Sequence, residues 1–235
     1  MKIAGSVALV TGANRGIGRA LAAALLEQGA AKVYAGARDP RQVDLPGAQA
    51  LALDITDPAS VAAAAAVAAD VTLVVNNAGV SRYQGLLDGD PDGLRAELDT
   101  HLWGTLAVTR ATAPALARNG GGALVNVLSV LSWTSTLGVT SYSVAKAAQW
   151  ALTNGLRLEL AAQHTHVLGV HLGAADTDLM RDYDVPKLDP ADVASATLAG
   201  LEARDLEVLV DDAARYVKAA LARDPRELYG PHLTA

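Results

Sequence analysis

The chain has no cysteine and no phenylalanine. The first absence rules out disulfides and thiolate chemistry. The second accompanies an abundance of alanine and reads as a bias of composition. Basic residues are the minority, 19 Lys and Arg against 25 Asp and Glu, for a net charge of −6 and a pI near 5.3. No basic footprint for nucleic acid results. Long hydrophobic runs are missing too. The apolar stretches break well short of the ~18 residues that a membrane-spanning helix needs. The start, Met1-Lys2-Ile3-Ala4-Gly5-Ser6, leads directly into a strand pattern and leaves no room for a signal peptide. A soluble, cytoplasmic protein is expected. No metal site is expected.

What is present is alternation. Apolar runs over 6–11, 32–37, 49–54, 71–76, 123–128, 167–172 and 207–210 read as strands. Most are continuous, not every-other-residue, as strands covered on both faces require. Helical patterns lie between them, over 16–28, 58–69, 90–118, 142–163, 189–203 and 211–222. Asp57-Pro58 and Asp189-Pro190 supply an N-cap acid and then proline at the first helical position. Strand–helix alternation implies right-handed crossovers and a parallel sheet in the α/β class. The 235 residues suffice for one large domain, 1–235, without linker or repeat. The tail over 224–235, with Pro225, Gly230 and Pro231, carries no assignment.

Three motifs carry chemistry. Thr11-Gly12-Ala13-Asn14-Arg15-Gly16-Ile17-Gly18 follows a strand and opens a helix, the context of a dinucleotide-binding turn. Gly12 allows the tight turn, Gly16 close approach to a pyrophosphate, and Gly18 helix–strand packing. The helix N-terminus then presents N–H groups to phosphate. At the end of the second strand, where NAD proteins place an acid, stand Gly36 and Ala37, followed by Arg38. Arg15 and Arg38 together suit the 2′-phosphate of NADP. The alternatives are two solvated arginines, or Asp39 turned toward the ribose of NAD. In the third motif, Ser-Tyr-Ser-Val-Ala-Lys, Tyr142 and Lys146 are four apart and share a helix face. The Lys146 ammonium can stabilise a Tyr142 phenolate, and Ser129 upstream can hydrogen-bond a substrate oxygen.

With these motifs and Asn76-Asn77-Ala78-Gly79 in order along one chain, the sequence resembles the classical short-chain dehydrogenase/reductase family, from about Met1 to about Val210. The resemblance implies a Rossmann-type, doubly wound, seven-stranded parallel sheet with helices on both faces. It implies cofactor contacts from Gly12, Asn14, Arg15, Gly16, Ile17 and Gly18; from Arg38, Asp54 and Ile55 beside the adenine; and from Asn76, Ala78 and Gly79 at the fourth strand. Tyr142 and Lys146 would reach the nicotinamide ribose, and Gly173, Ala175 and Thr177 the nicotinamide. Thr177 could equally be a helix cap, and Asn77 reads as structural. Ser129, Tyr142 and Lys146 would be catalytic. His101 stands where the family usually has an active-site asparagine, and Leu172 stands where it has proline. His101 either replaces that asparagine or leaves a three-residue site. The segment 177–189 corresponds to the substrate lid. Its Leu179, Met180, Tyr183, Val185 and Pro186, with Leu131, Trp133 and Leu137, suggest a small apolar carbonyl substrate, or else core packing. The expected activity is NADPH-dependent reduction of a ketone or aldehyde, with NADH less favoured. An alcohol dehydrogenase running oxidatively and a non-catalytic nucleotide sensor are the alternatives. The family usually pairs through its two long helices, so a homodimer or homotetramer is expected, with Trp103 and Trp150 as interface candidates.

Overall fold

A computed structural model describes residues 1–233. Of the tail that carried no assignment, Thr234 and Ala235 lie outside the described residues. Seven strands form one sheet: β1 Val7–Thr11, β2 Lys32–Ala37, β3 Gln49–Ala52, β4 Leu73–Asn76, β5 Ala123–Val127, β6 His166–His171 and β7 Glu207–Leu209. Their order is β3-β2-β1-β4-β5-β6-β7, and every pairing is parallel. β2 coincides with the sequence reading, and the other strands end within two residues of it.

The continuous apolar strands are explained by two cores, one on each face. Along β1, Ala8 and Val10 enter one core and Leu9 the other; Val75 and Val74 of β4 divide likewise. This is the two-residue period of a strand with both sides covered. The first face is closed by α1 Gly16–Glu27 and later α6 Pro190–Ala203, through Leu21, Leu25, Val193 and Leu198. The second is closed by α2 Pro58–Val67, α4 Thr105–Arg118 and α5 Thr140–Glu159, through Val61, Val108, Leu116 and Leu156. Asp57 and Asp189 cap α2 and α6 through Ala59 N at 2.9 Å and Ala191 N at 2.8 Å.

The single helix expected over 90–118 is three segments. α3 Pro91–Leu98 passes into a π-helical stretch, Asp99–Gly104, and then into α4. The wider turn places His101 on the inner side, fully buried. After β7 come α7 Asp212–Ala220 and α8 Arg226–Leu233, so much of the tail is helical. No helix among the described residues is long and apolar enough to cross a membrane.

After β3 the chain crosses the sheet to β4 on the other side of β1. At such a switch point the connections leave in opposite directions and open a crevice at the carboxyl ends of the strands.

Candidate active site

A cavity of about 900 Å³ fills that crevice. It is floored by the turns that follow β1, β4, β5 and β6. The glycine turn forms one side. Gly12 has φ +65°, and a Cβ there would lie 3.0 Å from Ala78 Cα; one on Gly18 would lie 2.2 Å from the Gly12 carbonyl oxygen. Gly18 therefore packs the helix against the turn and does not line the cavity, whereas Gly12, Asn14, Arg15, Gly16 and Ile17 do. No side chain caps α1, so its first N–H groups are left to a ligand. Asn77 staples the turn, donating to the carbonyls of Thr11 (3.0 Å) and Gly12 (3.3 Å). Asn76 lies deeper, donating to Asn126 Oδ1 at 2.9 Å, and does not reach the cavity. Ala78 and Gly79 do.

The rim beside β2 and β3 carries the charge. Arg38 is exposed and makes no hydrogen bond or salt bridge among the described residues. Arg15 pairs with Asp178 at 3.0 Å, both well exposed. Such a pair stabilises by ~0–1 kcal/mol and yields readily to a stronger anion. Asp39 is held at both oxygens by Arg41, at 2.9 and 3.1 Å, which keeps its carboxyl below the usual range. Asp54 accepts from Thr56 N and Oγ1 at 2.9 and 2.7 Å and, with Ile55, lines the cavity.

At the other end Ser129, Tyr142, Lys146 and His101 share one wall. Ser129 begins a short 3₁₀ turn, Val130–Ser132, its Oγ accepting from Leu131 N at 3.1 Å. Its carbonyl accepts from His171 Nδ1 at 3.2 Å, and the His171 ring stacks on Trp133 at 3.7 Å. Tyr142 has no hydrogen-bond partner for its hydroxyl among the described residues. Burial first, then Glu97 and Tyr83, pushes its pKa up, so it rests as the phenol. The Lys146 ammonium lies 5.7 Å from the Tyr142 ring centre and donates to Val127 O (2.9 Å) and Gln149 Oε1 (2.8 Å). Burial pulls its pKa down to about 7. The His101 ring stands edge-on to Tyr142 at 5.2 Å. Burial, then Lys146, holds it well below the ordinary imidazole range. It is therefore neutral, with the Nε2 proton directed at Val80 O, 2.8 Å away, and Nδ1 bare. A Cβ on Gly79 would lie 2.8 Å from the ring, so that glycine makes the room for it.

Comparison with known proteins agrees with this geometry. The short chain dehydrogenase family profile matches residues 6–187. The chain belongs to the short-chain dehydrogenase family. An uncharacterised oxidoreductase from Staphylococcus aureus is 32% identical over 208 residues, spanning 83% of this chain and 90% of that one. Among solved structures, a short chain dehydrogenase from Burkholderia cenocepacia in complex with NADP is 42% identical with a TM-score of 0.95, covering 100% of both chains. A short-chain dehydrogenase from Streptomyces avermitilis is 28% identical with a TM-score of 0.85, covering 97% of this chain and 98% of that one.

In this short-chain dehydrogenase the remaining wall is Gly173, Ala175, Thr177 and the segment beyond. The Thr177 side chain does not cap the turn Asp178–Met180, so the cap reading of Thr177 is corrected. Its methyl group instead lies against Gly16. Leu179, Met180, Tyr183 and Val185 face the cavity, with Leu131 and Leu137 opposite. Trp133, expected in that wall, does not line it. It packs against His171 and Trp150, with the Lys218 ammonium 4.6 Å from its ring centre. Three residues had no place in the sequence reading: His171 beneath Ser129, Gln149 on Lys146, and Tyr83. The last, at φ +53°, brings its ring within 5.3 Å of Tyr183 and its hydroxyl to the Leu179 carbonyl. Gln149 alone had a sequence signal, lying three residues after Lys146 on the same helical face.

Proposed function

We propose that this oxidoreductase is an NADPH-dependent reductase of small apolar ketones or aldehydes. The observation that carries the reading is Tyr142, a phenol with a free hydroxyl beside the Lys146 ammonium in a cavity rimmed by Arg15 and Arg38. The residues fit the cofactor. The uncapped start of α1 suits a pyrophosphate, and the unpaired Arg38 with the weakly held Arg15 suits a 2′-phosphate. Asp54 and Ile55 would flank the adenine, Lys146 the nicotinamide ribose, and Gly173, Ala175 and Thr177 the nicotinamide. NADPH would supply the hydride.

The chain's own part is orientation and proton transfer. Ser129 Oγ and the Tyr142 hydroxyl donate to the substrate oxygen and hold the carbonyl in place. As negative charge grows on that oxygen, Tyr142 gives up its proton. Lys146 stabilises the phenolate that remains. At neutral pH Tyr142 rests as the phenol, the form that a proton donor needs. The segment 177–189 serves as lid, and its Leu179, Tyr183 and Val185 with Tyr83 favour an apolar or aromatic substrate. We read residues 1–235 as one cofactor-binding and catalytic unit, working in the cytoplasm as a homodimer or homotetramer. Exposed Trp103 and Leu158 offer apolar surface for that assembly, whereas Trp150 is partly covered by Trp133.

The test is NADPH binding by fluorescence with NADH in parallel, followed by turnover of simple ketones. Wild type should favour NADPH and reduce the ketone. Tyr142→Phe should lower kcat by ~10²–10⁴-fold with NADPH affinity nearly unchanged. Near-normal kcat in Tyr142→Phe would overturn the assignment of the proton donor. Preference for NADH would overturn that of the cofactor.

A further inference from the structure

Gln149 is almost completely buried, at 1% exposure, one helical turn beyond Lys146. Its side chain bridges two elements. Oε1 accepts from Lys146 Nζ at 2.8 Å, and Nε2 donates to Thr105 Oγ1 at 3.1 Å. Thr105 opens α4 directly after the π-helical stretch that carries His101. The Gln149 backbone is fixed as well, its carbonyl accepting from Thr153 Oγ1 at 2.7 Å; Thr153 in turn accepts from Asn126 at 2.9 Å. This buried polar web lies under the cavity, and the catalytic reading of the site makes no use of it.

We propose that Gln149 is a positioning residue, which holds the Lys146 ammonium beside Tyr142 and sets how much of it is charged. The proposal rests on the reading of Tyr142 as proton donor and Lys146 as its electrostatic partner. The geometry leaves the carboxamide one useful orientation. Turned over, it would set an NH₂ group against the ammonium and an oxygen against the threonine. An ammonium has three donors. Val127 O and Gln149 Oε1 take two, leaving one for the cavity side.

The charge argument follows from what surrounds Lys146. On its own helix stand Tyr142 and Gln149. Facing it are Val127 O at the end of β5 and, from the π-helical stretch, neutral His101. Glu97 of α3 and Tyr83 act on Tyr142 from further off. Burial strips water from Lys146, which favours the neutral amine. No carboxylate pairs with Lys146 among the described residues. The Gln149 oxygen is therefore one of two acceptors that favour the charged form. Without it the amine loses its proton at a lower pH, and Tyr142 loses its cationic support over part of the neutral range.

The test measures kcat and KM for ketone reduction across the neutral and alkaline range in wild type, Gln149→Leu, Gln149→Met and Gln149→Glu. In wild type kcat should fall as Lys146 deprotonates. In the Leu and Met variants that fall should move down by ~1 pH unit, the size expected for one lost hydrogen bond to a charged group. KM for the ketone and for NADPH should change less than about threefold. Gln149→Glu keeps an acceptor and adds a negative charge, so the fall should move upward. A uniform loss of kcat at every pH, or an unmoved midpoint, would mean that Gln149 merely fills space, and would overturn the proposal. A second readout is independent of turnover. In protein labelled with ¹³C-lysine, the Cε resonance of Lys146, assigned with Lys146→Arg, gives its titration directly. If wild type reduces no ketone, the reductase reading fails, yet a lowered Lys146 midpoint in Gln149→Leu still upholds the contact. An unchanged midpoint rejects it.

Discussion

His101 joins two elements at the site: the π-helical stretch that carries it and the loop after β4. The imidazole is fully buried and neutral, and its Nε2 lies 2.8 Å from the carbonyl of Val80, in the loop that follows β4. A proton shuttle would have to gain and lose a proton near neutral pH, which burial beside Lys146 opposes. A clamp needs only an N–H. An asparagine amide supplies one, so His101→Asn should keep the fold and most of the turnover. His101→Leu should leave the Val80 carbonyl unpaired in the interior, costing ~1–3 kcal/mol, seen as a drop of roughly 3–10 °C in Tm. If His101→Asn lost turnover while keeping its Tm, the imidazole would be doing chemistry after all. His101 was visible in the sequence because it falls at a marked position in a motif. So were Tyr142 and Lys146, from their four-residue spacing on a helix, and the glycine turn, from its place between a strand and a helix, while Ser129 was tied to them only by the fold that the resemblance implied. His171 and Tyr83 were not visible. The first acts across β5 and β6, and the second through a left-handed backbone that no residue type announces.

Helix starts were legible because their chemistry is local. Asp57 and Asp189 each cap the N–H two residues on, with proline next in sequence. α6 leaves the lid segment and packs on α1, whose own start borders the cavity. Asp189→Ala should therefore lower stability by ~1 kcal/mol, or roughly 2–4 °C in Tm, with kcat unchanged; no change in Tm would show the cap to be idle. The break in the 90–118 helix was not legible. A π turn adds one residue to the hydrogen-bonded ring, and although Gly104 weakens a helix locally, nothing in Asp-Thr-His-Leu-Trp-Gly selects a π turn over an α turn. Tertiary contacts decide it: the buried His101 clamp on one side, and on the other Gly104, where a Cβ would lie 2.8 Å from Ile55. The sheet order also exceeded what periodicity could give. Alternation yields parallel strands, and the family resemblance supplied the doubly wound arrangement.

The buried bases give the whole molecule one pH response. His171 is fully buried, and its folded pKa falls from the ordinary 6.5 to about 4, chiefly through burial. His101 shifts the same way. A base with a lowered folded pKa is matched by an unfolded chain that binds more protons, so stability rises with pH across the gap and is lost on acidification. For His171 that loss begins below the unfolded value near 6.5 and continues to about 4. It amounts to ~2–3 kcal/mol at mildly acidic pH. Asp54 and Asp70, held low by their hydrogen bonds, extend the decline below the carboxylate range. Lys146 acts in the same sense at the other end. Below about 7 the folded chain carries a buried ammonium, and that cost is relieved as pH rises toward the unfolded value of 10.5. Each of these groups favours the folded chain as pH rises through the acid and neutral range; in the alkaline range Tyr142, its pKa raised by burial, acts in the opposite sense. Tm should therefore fall by roughly 5–10 °C from neutral to mildly acidic solution on account of His171 alone. His171→Gln keeps an N–H able to reach the Ser129 carbonyl but has nothing to protonate. It should flatten that part of the curve while leaving Tm at neutral pH within a few degrees of wild type. An equally steep curve in His171→Gln would place the acid sensitivity elsewhere, with His101 the next residue to replace.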